Sequence, residues 1–217
     1  MFSDRKQAGQ QLATALHSYT GQPVTVFALP RGGLPVALEV AKSLGAPLEL
    51  ALVRKIGLPF YPEVAMGAVM DGDPPAVIRN DEVISHQQIS ERDFQACLKR
   101  ELAEIQRRRG VYLGGRYDCD VRGRTLVIVD DGLATGATMR AAIKGLRARQ
   151  PDKIVVAVPV SALDVLPVMG READDVVCLA APSDFQAVGT YYRHFPQLTD
   201  QDVLGVLKQA EQIHPAR

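Results

Sequence analysis

Apolar residues along this chain fall into two kinds of run. Short, mostly apolar runs, Val24–Leu29, Leu48–Val53, Leu126–Val129, Ile154–Val160 and Val176–Leu179, read as strands, with Leu126–Val129 buried on both faces. Between them the apolar residues recur at helical spacing. Leu12, Ala13, Leu16 and Tyr19 predict a helix over 4–19, stopped by Gly21 and Pro23. Val36, Ala37, Val40, Ala41 and Leu44 predict a second, ended by Gly45 and Pro47. Met139, Ala142, Ile143 and Leu146 mark a third over 137–149. Alternation of this kind predicts an α/β fold: an open, mostly parallel twisted sheet flanked by helices. Ligands in such sheets sit outside the carboxyl ends of the strands. Arg31, Arg54, Asp130 and Ser161 all follow predicted strands, so they can converge there.

The pattern loosens between Gly57 and Gly123. Val64–Met70 and Val77–Ile84 read as an antiparallel hairpin around the turn-forming run Asp71-Gly-Asp-Pro-Pro75. Ser90, with Asp93 three residues on, starts a helix whose buried face is Phe94, Cys97, Leu98, Leu102 and Ile105. The cations Arg107 to Arg109 and then Gly110 are expected to end it. Near the C-terminus, Ser183–Leu198 is aromatic-rich in a chain that is 6% aromatic. Thr199 then caps a helix carrying Val203, Leu204 and Leu207.

Composition narrows the function classes. The 217 residues carry 25 basic and 25 acidic side chains, so no basic field exists to drive non-specific nucleic-acid binding. Cys97, Cys119 and Cys178 are odd in number and form no CxxC pair, which argues against zinc or a redox centre. His17, His86, His194 and His214 show no metal-ligand spacing. The polar start and the lack of an apolar run of ~18 residues lead us to expect a cytoplasmic protein with no membrane partner.

The stretch Thr125–Met139 carries the chemistry. Its strand ends in two adjacent carboxylates, Asp130 and Asp131, and a loop of small residues, Gly132 to Thr138, opens the next helix. Backbone N–H groups and the helix dipole at such a place favour a phosphate, and Thr135 and Thr138 add hydroxyl donors. Two acids would repel that phosphate, so they must face another part of the ligand: sugar hydroxyls or a hydrated Mg²⁺. Neither GxxxxGK[ST] nor a dinucleotide GxGxxG stands here. In Pro30-Arg-Gly-Gly33 an arginine suits a phosphate fork, and the glycines allow close backbone approach to a ligand. Arg54 and Lys55 are further phosphate candidates.

Val129-Asp-Asp-Gly-Leu-Ala-Thr-Gly-Ala-Thr138 resembles the phosphoribosyl pyrophosphate (PRPP) motif of the type I phosphoribosyltransferases. The resemblance implies one phosphoribosyltransferase-like domain over 1–217. Residues 57–123 would form a flexible-loop, hairpin and helix insertion, and 180–217 a hood with a C-terminal helix. It implies that Asp130 and Asp131 hold the ribose hydroxyls and, through water, Mg²⁺. Ala134, Thr135, Gly136, Ala137 and Thr138 would wrap the 5′-phosphate. Arg31, Gly32 and Gly33 would form the pyrophosphate loop, often with a non-proline cis peptide, assisted by Arg54 or Lys55. Phe185 and Val188 would face the base. The glycine-rich Gly110–Gly115 suits a lid over the reacting centre. The implied activity is Mg²⁺-dependent displacement of pyrophosphate from PRPP by a nitrogenous base, with PRPP and a base as small-molecule partners. A homodimer is compatible with it. The alternative is a PRPP- or nucleotide-sensing regulator on the same fold without turnover. Members acting on 6-oxopurines carry an Asp where this chain has Ala134, and a Lys where it has the turn Val158-Pro-Val-Ser161. Both departures weigh against hypoxanthine and guanine. The sequence names no general base; Glu63 and Asp184 are candidates only.

Overall fold

The computed structural model describes residues 1–114 and 120–213. Five parallel strands form the main sheet: β1 (Val24–Ala28), β2 (Leu48–Leu50), β6 (Thr125–Val129), β7 (Lys153–Val160) and β8 (Asp175–Ala180). Their order is β2-β1-β6-β7-β8. The helices α1 (Arg5–Ala15), α2 (Gly33–Leu44), α5 (Ala137–Arg147), α6 (Leu166–Glu172) and α7 (Asp200–Ile213) accompany them. A smaller antiparallel sheet, ordered β3-β4-β5, is built from β3 (Val53–Gly57), β4 (Ala65–Met70) and β5 (Ala76–Arg79), with α3 (Asp81–His86) and α4 (Glu91–Leu113) beside it.

Burial on both faces explains the unbroken apolar runs. Along β6, Val127 and Val129 pack with Leu12, Leu34 and Val40 of α1 and α2 and with Leu16 just past α1. Leu126 and Ile128 pack on the opposite face with Met139, Ile143 and Leu146 of α5. Each such side chain, withdrawn fully from water, contributes ~1.5–3 kcal/mol before the cost of ordering it. Gly9 lets α1 lie directly on α2, because a Cβ there would stand 2.7 Å from the Val36 carbonyl oxygen.

Strand order fixes where a ligand can bind. From β1 the chain winds through α2 to β2 on one side; from β6 it winds through α5 and α6 to β7 and β8 on the other. The winding direction therefore reverses between β1 and β6, and the crevice outside their carboxyl ends is the expected ligand site. Ala28 is in register with Val129, and Leu29 N–H donates to the Val129 carbonyl at 2.9 Å. Pro30–Gly33 and Asp130–Asp131 thus leave adjacent strands side by side.

Several expected boundaries are corrected. The single apolar run Leu48–Val53 is shared by two sheets: β2 stops at Leu50, and β3 starts the antiparallel sheet at Val53. Arg54 and Lys55 therefore lie inside β3 rather than past a parallel strand. An apolar run carries no mark of where it changes sheet. The expected strand Val77–Ile84 ends at Arg79 because Asn80 caps α3, its side chain accepting from Val83 N–H at 3.2 Å. The first helix ends at Ala15, followed by a 3-10 turn over His17–Tyr19. Gly110 does not end α4, which continues to Leu113 and closes on Gly114 in the left-handed conformation. The packing of Ile105, Arg108 and Tyr112 along one buried face outweighs the ~1 kcal/mol that a helical glycine costs. Residues 110–113 are therefore helix, not a lid, while Gly115 falls outside the described residues. Ser90 and Thr199 cap their helices as expected; Thr199 forms a reciprocal capping box with Asp202, while at Ser90 it is the hydroxyl that donates to the Asp93 carboxylate.

Candidate active site

The acid pair is set by the end of β6. Asp131 N–H donates to Asp130 Oδ1 at 2.8 Å, turning the first carboxylate back over its own strand end. Burial pushes the Asp130 carboxyl well above the usual range, and the adjacent Asp131 charge adds to the effect. Asp131 is held differently. Its Oδ2 receives Arg5 Nε at 2.8 Å, and its backbone carbonyl receives the Tyr192 hydroxyl at 2.6 Å. Burial, followed by the Asp131 charge, pushes the Tyr192 phenol far up, so that hydroxyl stays a donor.

The β1 loop closes against these carboxylates. The Pro30–Arg31 peptide is cis. A Cβ at Gly32 would sit 2.1 Å from Asp131 Oδ2, and one at Gly33 2.6 Å from the Val129 carbonyl oxygen and 2.8 Å from Asp130 Cα. The first reason for both glycines is therefore the approach of the acid-bearing loop itself; close access for a ligand is secondary. The Arg31 guanidinium donates to the Leu198 carbonyl, which ties this loop to the C-terminal segment.

The small-residue loop forms an open helix N-terminus. Leu133 N–H donates to the Val160 carbonyl and Ala162 N–H to the Leu133 carbonyl, each at 2.9 Å, so the loop is anchored to the end of β7. Gly136 adopts φ 72°, and a Cβ there would meet Val165 Cγ1 at 2.9 Å; only glycine suits the position. The N-cap of α5, Gly136, provides no side-chain cap. The N–H groups of the first turn, with exposed Ala134 and Thr135 and half-buried Ala137 and Thr138, are available to an anion.

The C-terminal segment covers one side. A Cβ on Gly132 would stand 2.6 Å from Val188 Cγ1, so Val188 sits directly over the acid loop. Phe185 stacks on Tyr191 at 5.5 Å between centroids and 15° between planes. Ser161, expected to face the ligand edge, is fully buried and donates its hydroxyl to the Ala162 carbonyl at 2.9 Å. Arg54 Nε is paired with Glu101 Oε2 on α4 at 2.8 Å, and Lys55 is exposed on the other side of β3. The basic run is committed as well: Arg107 to Glu104 and Asp200, Arg108 to Glu104, and Arg109 to Asp71.

Arg5 and Tyr192 escaped sequence reasoning. Arg5 did carry a signal. It continues the stripe Ala8, Gly9, Leu12 by one turn toward the helix start, so a cation falls on the buried face. It also stands in the first turn, where the helix dipole disfavours positive charge. Nothing local marks Tyr192.

Two carboxylates thus stand beside an open helix N-terminus at the reversal point of a parallel sheet. The chain belongs to the phosphoribosyl transferase domain family, whose pattern it matches over residues 79–192. Its structure is similar to that of TT1426 from Thermus thermophilus, with 40% identity, a TM-score of 0.77 and coverage of 96% of this chain and 98% of that one. It is also 45% identical over 210 residues to "Putative phosphoribosyl transferase Rv0571c" of Mycobacterium tuberculosis (strain ATCC 25618 / H37Rv), and equally to its counterpart in strain CDC 1551 / Oshkosh. That match takes in 97% of this chain and 47% of the relative, so the chain spans about half the length of the curated relatives it matches.

Proposed function

We propose that this chain acts, as one domain with an inserted hairpin and helix and a C-terminal hood, as a Mg²⁺-dependent phosphoribosyltransferase. It would displace pyrophosphate from PRPP with a nitrogenous base to give a nucleoside 5′-monophosphate, in the cytoplasm. The observation that carries this reading is the meeting of three features outside β1 and β6: an uncapped helix N-terminus, a carboxylate pair, and an arginine-glycine loop packed on that pair. In the reaction the C1–oxygen bond to pyrophosphate breaks as the base nitrogen bonds to C1, so positive charge builds on the sugar and negative charge on the leaving group. Asp130 and Asp131 accept from the ribose hydroxyls, and their negative field favours the cationic ring. The N–H groups of 134–138, with Thr135 and Thr138, hold the 5′-phosphate. Arg31, exchanging the Leu198 carbonyl for the ligand, steadies the departing pyrophosphate. Phe185 and Val188 supply an apolar wall for the base.

No group of three or more metal-ligating side chains exists among the described residues. The acid pair nevertheless fits magnesium, which keeps several waters and takes one or two carboxylates plus substrate phosphates. When bound it neutralises charge on the diphosphate.

The base is proposed not to be a 6-oxopurine. Ala134 offers no carboxylate, and the alternative donors are committed: Ser161 to the Ala162 carbonyl and Arg107–Arg109 to acidic partners. Lost polar complementarity of this kind is worth up to ~10⁴ in discrimination. Pyrophosphate release from PRPP and Mg²⁺ would be assayed with hypoxanthine, guanine, adenine, orotate, uracil and nicotinate. Turnover with one of the last four above both oxopurines is expected. Highest kcat/KM with hypoxanthine or guanine would overturn the base assignment; binding of PRPP with no turnover on any base would favour the sensing alternative.

A further inference from the structure

The interaction that the reaction scheme leaves unused is the one between Arg5 and Asp131. Arg5 sits at the start of α1, far in sequence from the acid pair, yet only 8% of its surface is exposed. Its guanidinium is fixed on three sides. Nε donates to Asp131 Oδ2 at 2.8 Å, Nη1 donates to the Pro196 carbonyl at 2.9 Å, and Cζ lies 3.7 Å over the Phe195 ring.

The hood completes the arrangement. Phe195 packs on Tyr192 at 4.8 Å between centroids, and the Tyr192 hydroxyl donates to the backbone carbonyl of the same Asp131. Residues 2 and 3 bond to the hood segment: Phe2 N–H to the Tyr191 carbonyl, Arg193 N–H to the Phe2 carbonyl and His194 N–H to the Ser3 carbonyl. The start of the chain and the hood therefore grip Asp131 together, one by its side chain and the other by its main chain.

A lone carboxylate would swing about its Cα–Cβ bond. The adjacent Asp130 carboxylate would repel it. Arg5 takes one oxygen of Asp131, offsets part of the charge, and leaves the second oxygen to accept a sugar hydroxyl. A fixed fork does this better than a flexible ammonium.

We propose that Arg5 is a positioning residue: it orients Asp131 for the ribose hydroxyls and, through Pro196 and Phe195, makes that orientation depend on the docked hood. The proposal rests on the PRPP reading of the site.

The test compares PRPP with inorganic phosphate as a ligand that has no diol. Isothermal titration of the full chain should show PRPP affinity reduced about 10- to 100-fold in Arg5→Ala, the usual cost of removing a residue that orients a ligand-binding group. Phosphate affinity at the α5 N-terminus should be unchanged. Added guanidinium ion should restore part of the PRPP affinity in Arg5→Ala, and Arg5→Lys should fall between the two. If Arg5→Ala does not fold, Arg5→Lys alone decides: weakened PRPP with unchanged phosphate supports the proposal. A folded variant with wild-type PRPP affinity would overturn it, as would an equal loss for both ligands, which is the signature of a merely structural role. Wild-type protein with no affinity for PRPP would instead overturn the reading of the site on which the proposal rests.

Discussion

Two adjacent glycines separate binding from folding at the residue scale. In Gly32→Ala the new methyl meets the end of the Asp131 side chain, 2.1 Å away, so the carboxylate must leave its Arg5 partner. In Gly33→Ala the methyl meets backbone, the Val129 carbonyl and Asp130 Cα, which cannot give way without moving β6. Gly33→Ala is expected to lose about 1–3 kcal/mol of stability in denaturant unfolding. Gly32→Ala should lose less stability but about 10- to 100-fold in PRPP affinity. Gly33→Ala as stable as wild type would contradict this packing. Asp130 gives a second residue-scale expectation. Its carboxyl is raised in the folded protein by burial and by Asp131, so ionising it costs stability as pH rises through the folded value. Below the ordinary carboxylate range, ~4, both states are protonated and the cost is absent. Asp130→Asn should therefore melt above wild type at pH 8 in magnesium-free buffer, with the gap closing as pH falls toward ~4. A gap that stays constant with pH, or reverses, would contradict the assignment. Asp130 and Asp131 were legible in the sequence because a strand ran straight into them. Arg5 was legible only as a cation on an apolar stripe, and its partner lies 126 positions away.

Elements were legible where one local signal acted alone. β6 and β7, buried almost throughout, match their apolar runs to within a residue, as does the half-buried edge strand β8, and the caps of α4 and α7 fall on Ser90 and Thr199. Misreading came where two local signals met. Asn80 with Asp81 and Glu82 outweighed the strand preference of Val83 and Ile84. Tertiary burial of Tyr112, whose hydroxyl donates to Asp200 on α7, carried α4 past Gly110. Gly110 is exposed, and a Cβ there would meet nothing within 4 Å. Gly110→Ala should therefore raise stability by about 0.5–1 kcal/mol and leave PRPP affinity and turnover unchanged. Reduced stability in thermal unfolding, or lost turnover, would show that this segment must leave the helix to work.

The strand order turns two remote sequence stretches into one site on the scale of the whole molecule. Pro30–Gly33 and Asp130–Asp131 became neighbours because β1 and β6 pair in register, a pairing that alternating strands and helices permit but do not single out. The antiparallel sheet was legible as a hairpin, yet its third strand, β3, was hidden inside an apolar run that also supplies the main sheet. The hood's contribution through Tyr192 depends on the C-terminal segment returning to the start of the chain, and no local pattern records that. The claim on which the functional account stands is that the two carboxylates at the reversal point hold the sugar of PRPP. Calorimetric titration of PRPP with Mg²⁺ into wild type and into a folded Asp130→Asn/Asp131→Asn variant tests it most directly. The account predicts saturable binding to wild type and none to the variant; unchanged PRPP affinity in a variant of native fold would contradict it.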